Sequence, residues 1–395
     1  MPAPTPDRTP VPRDPVNDYT REMAARRAAF LKDRTGTDLT HVGHHSIDPA
    51  ALPGNIENFV GVAQVPIGVA GPLRINGEWA RGDFYVPLAT TEGALVASYS
   101  RGMRAITEAG GATTTVVRRA MQRAPVFTFP TAREVRAFGE WLTVRLDEVR
   151  RAAEATSRVG RLVDVEQYAV GNLLYTRFNY TTGDAAGQNM TGKATLAACE
   201  WIREAHPAHP PFMLSGGIDT DKKHSAVNVL RTRGRRVIAE VVLPDALLRR
   251  LLRVDATSLL RARQVSNAGA LLAGSAYNGP HAANGIAALF IATGQDVANL
   301  AESHAGITYA QITEAGDYYW SVTLPSLIVG TVGGGTGLPT QQECVRLLGC
   351  EGTGSADKLA EIVAAVVLAG DISLGCAVLA GDWVSAHEGL GRNRP

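Results

Sequence analysis

RLVDVEQYAVGNLLYTRFNY, residues 161–180, sets two runs of alternating polarity on either side of a Gly171-Asn172 turn, the pattern of a β-hairpin. Just upstream, TAREVRAFGEWLTVRLDEV (131–149) opens with a Thr131 and Glu134 capping box and carries Val135, Phe138, Leu142, Leu146 and Val149 as one buried helical stripe. A second helix is expected from about Ala185, and strand-like residues from about Thr115 lead into the segment. Strand, helix, hairpin and helix make a compact α+β unit over residues 125–212. On both sides of it, strands such as RVIAEVVLP (236–244) and SLIVGTV (326–332) alternate with helices such as HAANGIAALFIATG (281–294). The reading is therefore a large mixed domain, residues 16–124 and 213–395, with a small unit inserted, and no repeat of solenoid length.

Composition allows an enzyme of ordinary type. The 395 residues are 45% hydrophobic and 19% charged, enough for a large core, and the net charge of +1 leaves no electrostatic footprint for nucleic acid or an anionic membrane. Partners are expected to be small molecules or copies of the chain itself. Cys199, Cys344, Cys350 and Cys376 show no CxxC spacing, which argues against a zinc site or disulfide framework and for a reducing, cytoplasmic setting. The first 15 residues carry six prolines and read as a disordered tail, without the apolar stretch of a signal peptide. LAEIVAAVVLAGDISLGCAVLAG (359–381) is interrupted by Glu361 and Asp371, so it reads as a buried helix pair and not a membrane anchor.

Four titratable groups stand where a structural sequence seldom puts one. TTEGALVASYSRGMRAITEAGG (90–111) reads as a helix capped by Thr90 or Thr91, with Leu95, Tyr99, Met103 and Ile106 buried and Glu92 in its first turn. There Glu92 could do no more than complement the helix dipole. Asp296 ends ALFIATGQD, where the dipole disfavours an anion unless a cation compensates. The cation is expected from SGGIDTDKKHSA (215–226), in which Asp219, Asp221, Lys222 and Lys223 crowd a loop that could equally be a solvated turn. His387, in GDWVSAHEGLG, could be an ordinary surface histidine. GTVGGGTGLPTQQE (330–343) could bare backbone N–H groups to an anion, yet it satisfies neither GxGxxG nor GxxxxGK[ST].

Six segments join these features. ENFVGVAQVPIGVAGPL, PLATTEGALVAS, TTGDAAGQNM, DTDKKHSA, HAANGIAALFIATGQD and GTVGGGTGLPTQQE occur in the order of the signature segments of the hydroxymethylglutaryl-CoA reductase family, which the chain resembles from about Glu57 to His387. The glycine loop is similar to the class I branch, and the absence of N-terminal membrane segments resembles its soluble bacterial members. The resemblance implies a large domain around a central helix, an inserted ferredoxin-like domain for NADPH, and an active site formed between two subunits. It also implies reduction of the acyl-CoA thioester to mevalonate and CoA with two NADPH.

Carried over by position, the resemblance makes Glu92, Lys222, Asp296 and His387 catalytic. Lys222 would stabilise the oxyanion, His387 protonate the departing thiolate, and a desolvated Glu92 act as acid, with Asp296 linking Glu92 and Lys222. Arg123, Ser215, Asp221, Lys223 and Asn284 fall at substrate positions, and Ser98 and Arg101 at CoA positions. Ser157, Arg158, Asp184, Gly187, Gln188, Asn189 and Met190, with Gly333, Gly334 and Gly335 of the glycine loop, fall at NADPH positions. The chain departs from the family pattern at Gly217, where an asparagine is usual, and at Ala386, where a serine is. It also has Gln264 or Val265 where a lysine normally meets the substrate carboxylate, with Arg261 and Arg263 nearby. These departures keep open a reductase of a related acyl thioester; a non-catalytic acyl-CoA or nucleotide binder is the third reading.

Overall fold

The computed structural model describes residues 8–382. In chain order, helix α1 (Arg21–Thr35) precedes the hairpin β1 (Ile67–Asn76) and β2 (Arg81–Ala89), then α2 (Leu95–Glu108), β3 (Thr113–Arg123) and β4 (Val126–Thr128). Helices α3 (Ala132–Val144) and α4 (Leu146–Glu154), the hairpin β5 (Arg161–Val170) and β6 (Leu173–Thr181), and α5 (Gln188–Ala205) follow. Next come β7 (Phe212–Met213), α6 (Ala226–Arg231), β8 (Gly234–Leu243), α7 (Ala256–Ala273), α8 (Ala282–Thr293), β9 (Ile307–Ile312) and β10 (Tyr318–Leu327). The last helices are α9 (Pro339–Leu347) and α10 (Ser355–Ala380).

The fold is mixed, with antiparallel sheets. One sheet runs β7-β4-β6-β3-β8-β10-β9, with β5 on the other edge of β6. The expected hairpin is present, with Val170 opposite Leu173 across the Gly171-Asn172 turn. Strand β3 joins two regions of this sheet: Thr113 to Ala120 pair with β8, and Met121 to Arg123 pair with β6. Two separate apolar clusters flank that junction. One gathers Phe127, Phe138, Leu142, Val149, Phe178 and Ile202, and the larger surrounds α10.

Three local expectations are corrected. The stretch 359–381 is one continuous helix, not a pair; α10 has 26 residues, about 39 Å at 1.5 Å per residue, and is long and apolar enough to cross a membrane while lying mostly inside the core. Glu361 and Asp371 do not interrupt it because each accepts from backbone N–H groups elsewhere. Glu361 accepts from Trp79 N (2.9 Å) and Ala80 N (2.7 Å), and Asp371 accepts from His281 N (2.9 Å) and the Tyr277 hydroxyl. Close packing seats the helix: a Cβ on Gly102 of α2 would lie 1.8 Å from the Ala369 carbonyl oxygen.

The helix expected over 131–149 keeps its capping residue, with Thr131 accepting from Glu134 N, but breaks at Arg145. The break lets α4 meet the start of β5, where Arg150 donates to Leu162 O and Glu154 accepts from Leu162 N. Finally, α2 starts after left-handed Ala94, so Glu92 precedes the helix and is not in its first turn. Thr90 Oγ1 accepts from Glu92 N instead of capping α2. The core positions Leu95, Tyr99, Met103 and Ile106 are buried as expected. Within the proline-rich start, the Pro12 carbonyl accepts from buried Arg27.

Candidate active site

The C-terminal end of α8 gathers the charged loop. Helix α8 stops at left-handed Gly294, and Asp296 then does two things: its Oδ1 accepts from Ala298 N, and its Oδ2 lies 2.9 Å from Lys222 Nζ. The anion at the unfavourable end of the dipole thus has the cation it requires. Hydrogen bonding and charge from Asp296 hold the Lys222 ammonium above its ordinary pKa, so it stays protonated.

Lys222 occupies the left-handed region (φ 57°), which costs a non-glycine residue on the order of 1 kcal/mol and persists only where surroundings fix it. Here Lys222 N donates to Glu302 Oε1, and Arg233 Nε lies 3.0 Å from Glu302 Oε2. Arg233 also pairs with Asp221, whose carboxylate accepts from Gln188 as well. Burial pushes the Glu302 carboxyl up to about 7, against the pull of Arg233. Asp219, also buried, accepts from Ser215 (2.8 Å) and Arg123 (3.2 Å). Lys223 donates to the Asp221 carbonyl. Gly217 has φ 88°, a conformation that glycine and, among other residues, asparagine adopt most readily, so the departure from the family's asparagine preserves the turn.

Beside this cluster lies a cleft of about 610 Å³ lined by Gly187, Gln188, Asn189, Met190, Asp296, Gly333, Gly334 and Gly335, among others. Helix α5 begins here at left-handed Gly187 with no side-chain cap, leaving backbone N–H groups available to an anion. Ser157 Oγ accepts from Val159 N and Gly160 N in a turn whose Gly160 packs close to Met190, and Arg158 on that turn is exposed. Asp184, expected at a cofactor position, adjoins the glycine loop, its carbonyl accepting from Thr331 N (2.8 Å). Its carboxylate accepts from Gly354 N (3.0 Å) and Ala356 N (2.9 Å), capping α10.

The N-terminal end of α8 holds the other candidate group, Glu92. Asn284 Nδ2 lies 2.9 and 2.8 Å from the two Glu92 oxygens. Glu92 is exposed, so the expected desolvation is not supplied by the described residues of one chain. Nor does Asp296 link Glu92 to Lys222 within the chain: α8, 12 residues and about 18 Å long, separates the Glu92 end from the Lys222 end. Ser98 Oγ lies 3.1 Å from Ser373 Oγ, and Arg101 donates to Ser373. On α7, Arg263 is buried and binds Asn267 and the Asn278 carbonyl, whereas Arg261, Gln264 and Val265 are exposed. His387 and Ala386 lie outside the described residues. Sequence reasoning missed Glu302 and Arg233; a lone carboxylate in the otherwise uncharged VANLAESHAG was the available signal.

An α+β fold that sets a glycine-lined cleft beside an ion-paired lysine suits an enzyme that binds an anionic ligand. A hydroxymethylglutaryl-coenzyme A reductase family profile matches residues 23–392. A 3-hydroxy-3-methylglutaryl-coenzyme A reductase from Pyrococcus abyssi is 46% identical over 95% of this chain and 94% of its own length. One from Methanothermobacter thermautotrophicus is 44% identical over 94% of each. A solved class II 3-hydroxy-3-methylglutaryl-CoA reductase from Streptococcus pneumoniae, bound to NADPH, has the same fold, with a TM-score of 0.68 at 22% identity over 92% of this chain and 99% of that one. The chain belongs to the hydroxymethylglutaryl-coenzyme A reductase family, and the reading of its motifs as those of an NADPH-dependent reductase stands. The two sequence relatives named here are archaeal and the solved neighbour is a class II enzyme, so neither supports the soluble bacterial class I type that the motifs resembled.

Proposed function

We propose that the chain reduces the thioester of hydroxymethylglutaryl-CoA to mevalonate and free CoA, drawing on two NADPH. The observation that carries this is the protonated Lys222, held by Asp296 and Glu302 at the edge of the glycine-lined cleft. The open N-terminus of α5, the Gly333, Gly334 and Gly335 turn, and exposed Arg158 fit a dinucleotide bearing an extra phosphate. Bound there, NADPH supplies the hydrides. Lys222 offsets the negative charge that develops on the carbonyl oxygen, first in thioester reduction and again in aldehyde reduction. Asp296 keeps the ammonium in place. Glu92, positioned by Asn284, provides the proton for the alcohol, and His387, in the family's reading, protonates the thiolate of CoA. Arg123, Ser215, Asp221 and Lys223 would hold the acyl part.

The separation of Glu92 from Lys222 by the length of α8 supports a site completed by two copies, Glu92 and Asn284 from one and Lys222 and Asp296 from the other. The separate apolar cluster of residues 127–202 supports the reading of 125–212 as an inserted cofactor domain. The class I-like assignment rests on the glycine loop's wording. We also read the enzyme as cytoplasmic.

A second reading, reduction of a related acyl thioester, is favoured by Gln264 and Val265 in place of the usual lysine. Helical geometry favours Arg261 as the substitute: four residues before Val265 it shares that exposed face, whereas Arg263, two residues before, lies on the opposite side and is buried. Incubation with hydroxymethylglutaryl-CoA and NADPH, following coenzyme oxidation and free thiol, should give two coenzymes oxidised per thiol released. No thiol release would refute the reductase reading.

A further inference from the structure

The loop that carries Lys222 holds two non-glycine residues in the left-handed region, Thr220 (φ 53°) and Lys222 (φ 57°). Such backbone persists only where its surroundings fix it. One fixing group is the Glu302 carboxylate, which accepts from Lys222 N (2.5 Å) and is itself 1% exposed. Glu302 is held in turn: Asn228 Nδ2 donates to its Oε2 (3.3 Å), and Asn228 Oδ1 accepts from Arg177 Nη2 (3.1 Å). Both of these side chains are buried as well. Arg177 lies on β6 of the 161–180 hairpin, directly opposite Glu166 of β5. Glu166 accepts from Arg177 (3.5 Å), from the Tyr168 hydroxyl (2.7 Å) and from Asn179 (3.3 Å).

Glu166, Arg177, Asn228 and Glu302 thus run in one line from the hairpin to the backbone of Lys222. Each link has a fixed direction: a guanidinium only donates and an ionised carboxylate only accepts, so the amide between them turns its oxygen to Arg177 and its nitrogen to Glu302. The alternation of β6 explains why the line leaves the small unit. Leu174, Phe178 and Tyr180 belong to the apolar cluster of residues 127–202, so Arg177 projects from the other face of the strand, toward the loop that follows β7. That loop lies close against the same face, where a Cβ on Gly216 would sit 3.0 Å from the Tyr175 ring and 3.1 Å from Val126.

We propose that Asn228 and Arg177 are positioning residues for Lys222, which hold its loop in register with the hairpin of residues 161–180 through an ionised Glu302. The inference rests on the reductase reading, in which a coenzyme bound beside the small unit and the Lys222 ammonium must meet the same carbonyl group. Arg233, the Lys222 N–H and Asp221 face the Glu302 carboxylate, and Lys223 and His224 line a narrow gap beside it. Burial pushes this carboxyl up to about 7, while Arg233 and the Lys222 N–H pull it down. Protonation takes away acceptor capacity that Lys222 N, Arg233 and Asn228 use, so kcat should fall as pH drops through about 7. Removing the Asn228 donor withdraws a hydrogen bond from the charged form, which moves that acid limb to higher pH.

The test is Asn228→Leu in the full chain, a change of similar volume that removes both hydrogen bonds. Hydrogen–deuterium exchange, which needs neither substrate nor coenzyme, should be about tenfold faster over residues 217–226 than in wild type. In turnover, kcat should fall about tenfold with both KM values held within roughly twofold, and the acid limb should move up by about one pH unit. Glu302→Gln should abolish the limb. Arg177→Met with Glu166→Gln removes both charges together, leaves neither buried alone, and should give the same faster exchange and lower kcat even if Asn228→Leu fails to fold. Unchanged exchange over 217–226, or faster exchange with kcat and its acid limb unmoved, would overturn the proposal. A wild type that releases no thiol would instead overturn the reductase reading, and exchange would still decide whether the hairpin holds the loop.

Discussion

The two ends of α8 each carry a carboxylate, and only one is at home there. At the N-terminal end Glu92 meets Asn284 in the favourable field of the helix dipole, exposed and with no cation among its hydrogen-bond partners. At the C-terminal end Asp296 opposes the dipole and is kept by Lys222, itself fixed in a left-handed backbone by buried Glu302. One end is simple and open, whereas the other is strained and built from several chain segments. The Lys222 end is fixed by contacts within one chain, and on the proposed two-copy site the Glu92 end would be completed by the second copy.

The severest way to break this comparison is to disable each end separately. Lys222→Met should lower thioester reduction by about a thousandfold with folding intact, since the positive charge aimed at the oxyanion is lost; near-normal turnover would sink the assignment. Glu92→Gln should also be inactive. Mixing the two inactive proteins under conditions that exchange subunits should restore roughly a quarter of wild-type activity, because half the dimers are mixed and each has one intact site. No recovery would place both ends in sites of single chains.

The coenzyme side is sharpened by Arg158→Ala, expected to weaken NADPH roughly ten- to a hundredfold and to leave NADH nearly unchanged, by loss of a bidentate phosphate contact. Comparing catalytic efficiencies for both coenzymes in wild type and variant decides it. On α7, Arg261→Ala should raise KM for the acyl-CoA about tenfold. An unchanged KM would point to an uncharged acyl group.

The smallest effect concerns Asp371, which ties α10 to the start of α8. Burial raises its carboxyl from 3.8 to about 7, so the folded chain keeps the proton where the unfolded chain has released it. Its contribution to stability is complete below about pH 4 and is lost as pH rises through about 7. The melting temperature of wild type should therefore fall over that window more steeply than that of Asp371→Asn, and parallel profiles would contradict the assignment.

Much of the site was legible because its residues sit in short segments with fixed spacing. Lys222 and Asp296 meet as expected, Gly187 to Met190 share a cleft with Gly333 to Gly335, and Asn284 finds Glu92. The capping of α10 by Asp184 was not legible, because the backbone N–H it accepts from lies 170 residues away. Glu302 and Arg233 escaped notice because nothing local distinguishes a buried ion pair from a solvated one until the chain folds around it.

By itself the sequence determined the hairpin at residues 161–180, the Thr131 cap, and the buried faces of α2 and α3. Each depends on interactions within a few positions of the chain. Tertiary structure alone decided that α10 is unbroken, that Glu92 stands outside its helix, and which arginine on α7 faces outward. Glu361 lies 281 residues from the Ala80 N–H it accepts from, and Asp371 lies 90 from His281, so a charge that reads locally as an interruption becomes a fastener only when distant backbone arrives to meet it.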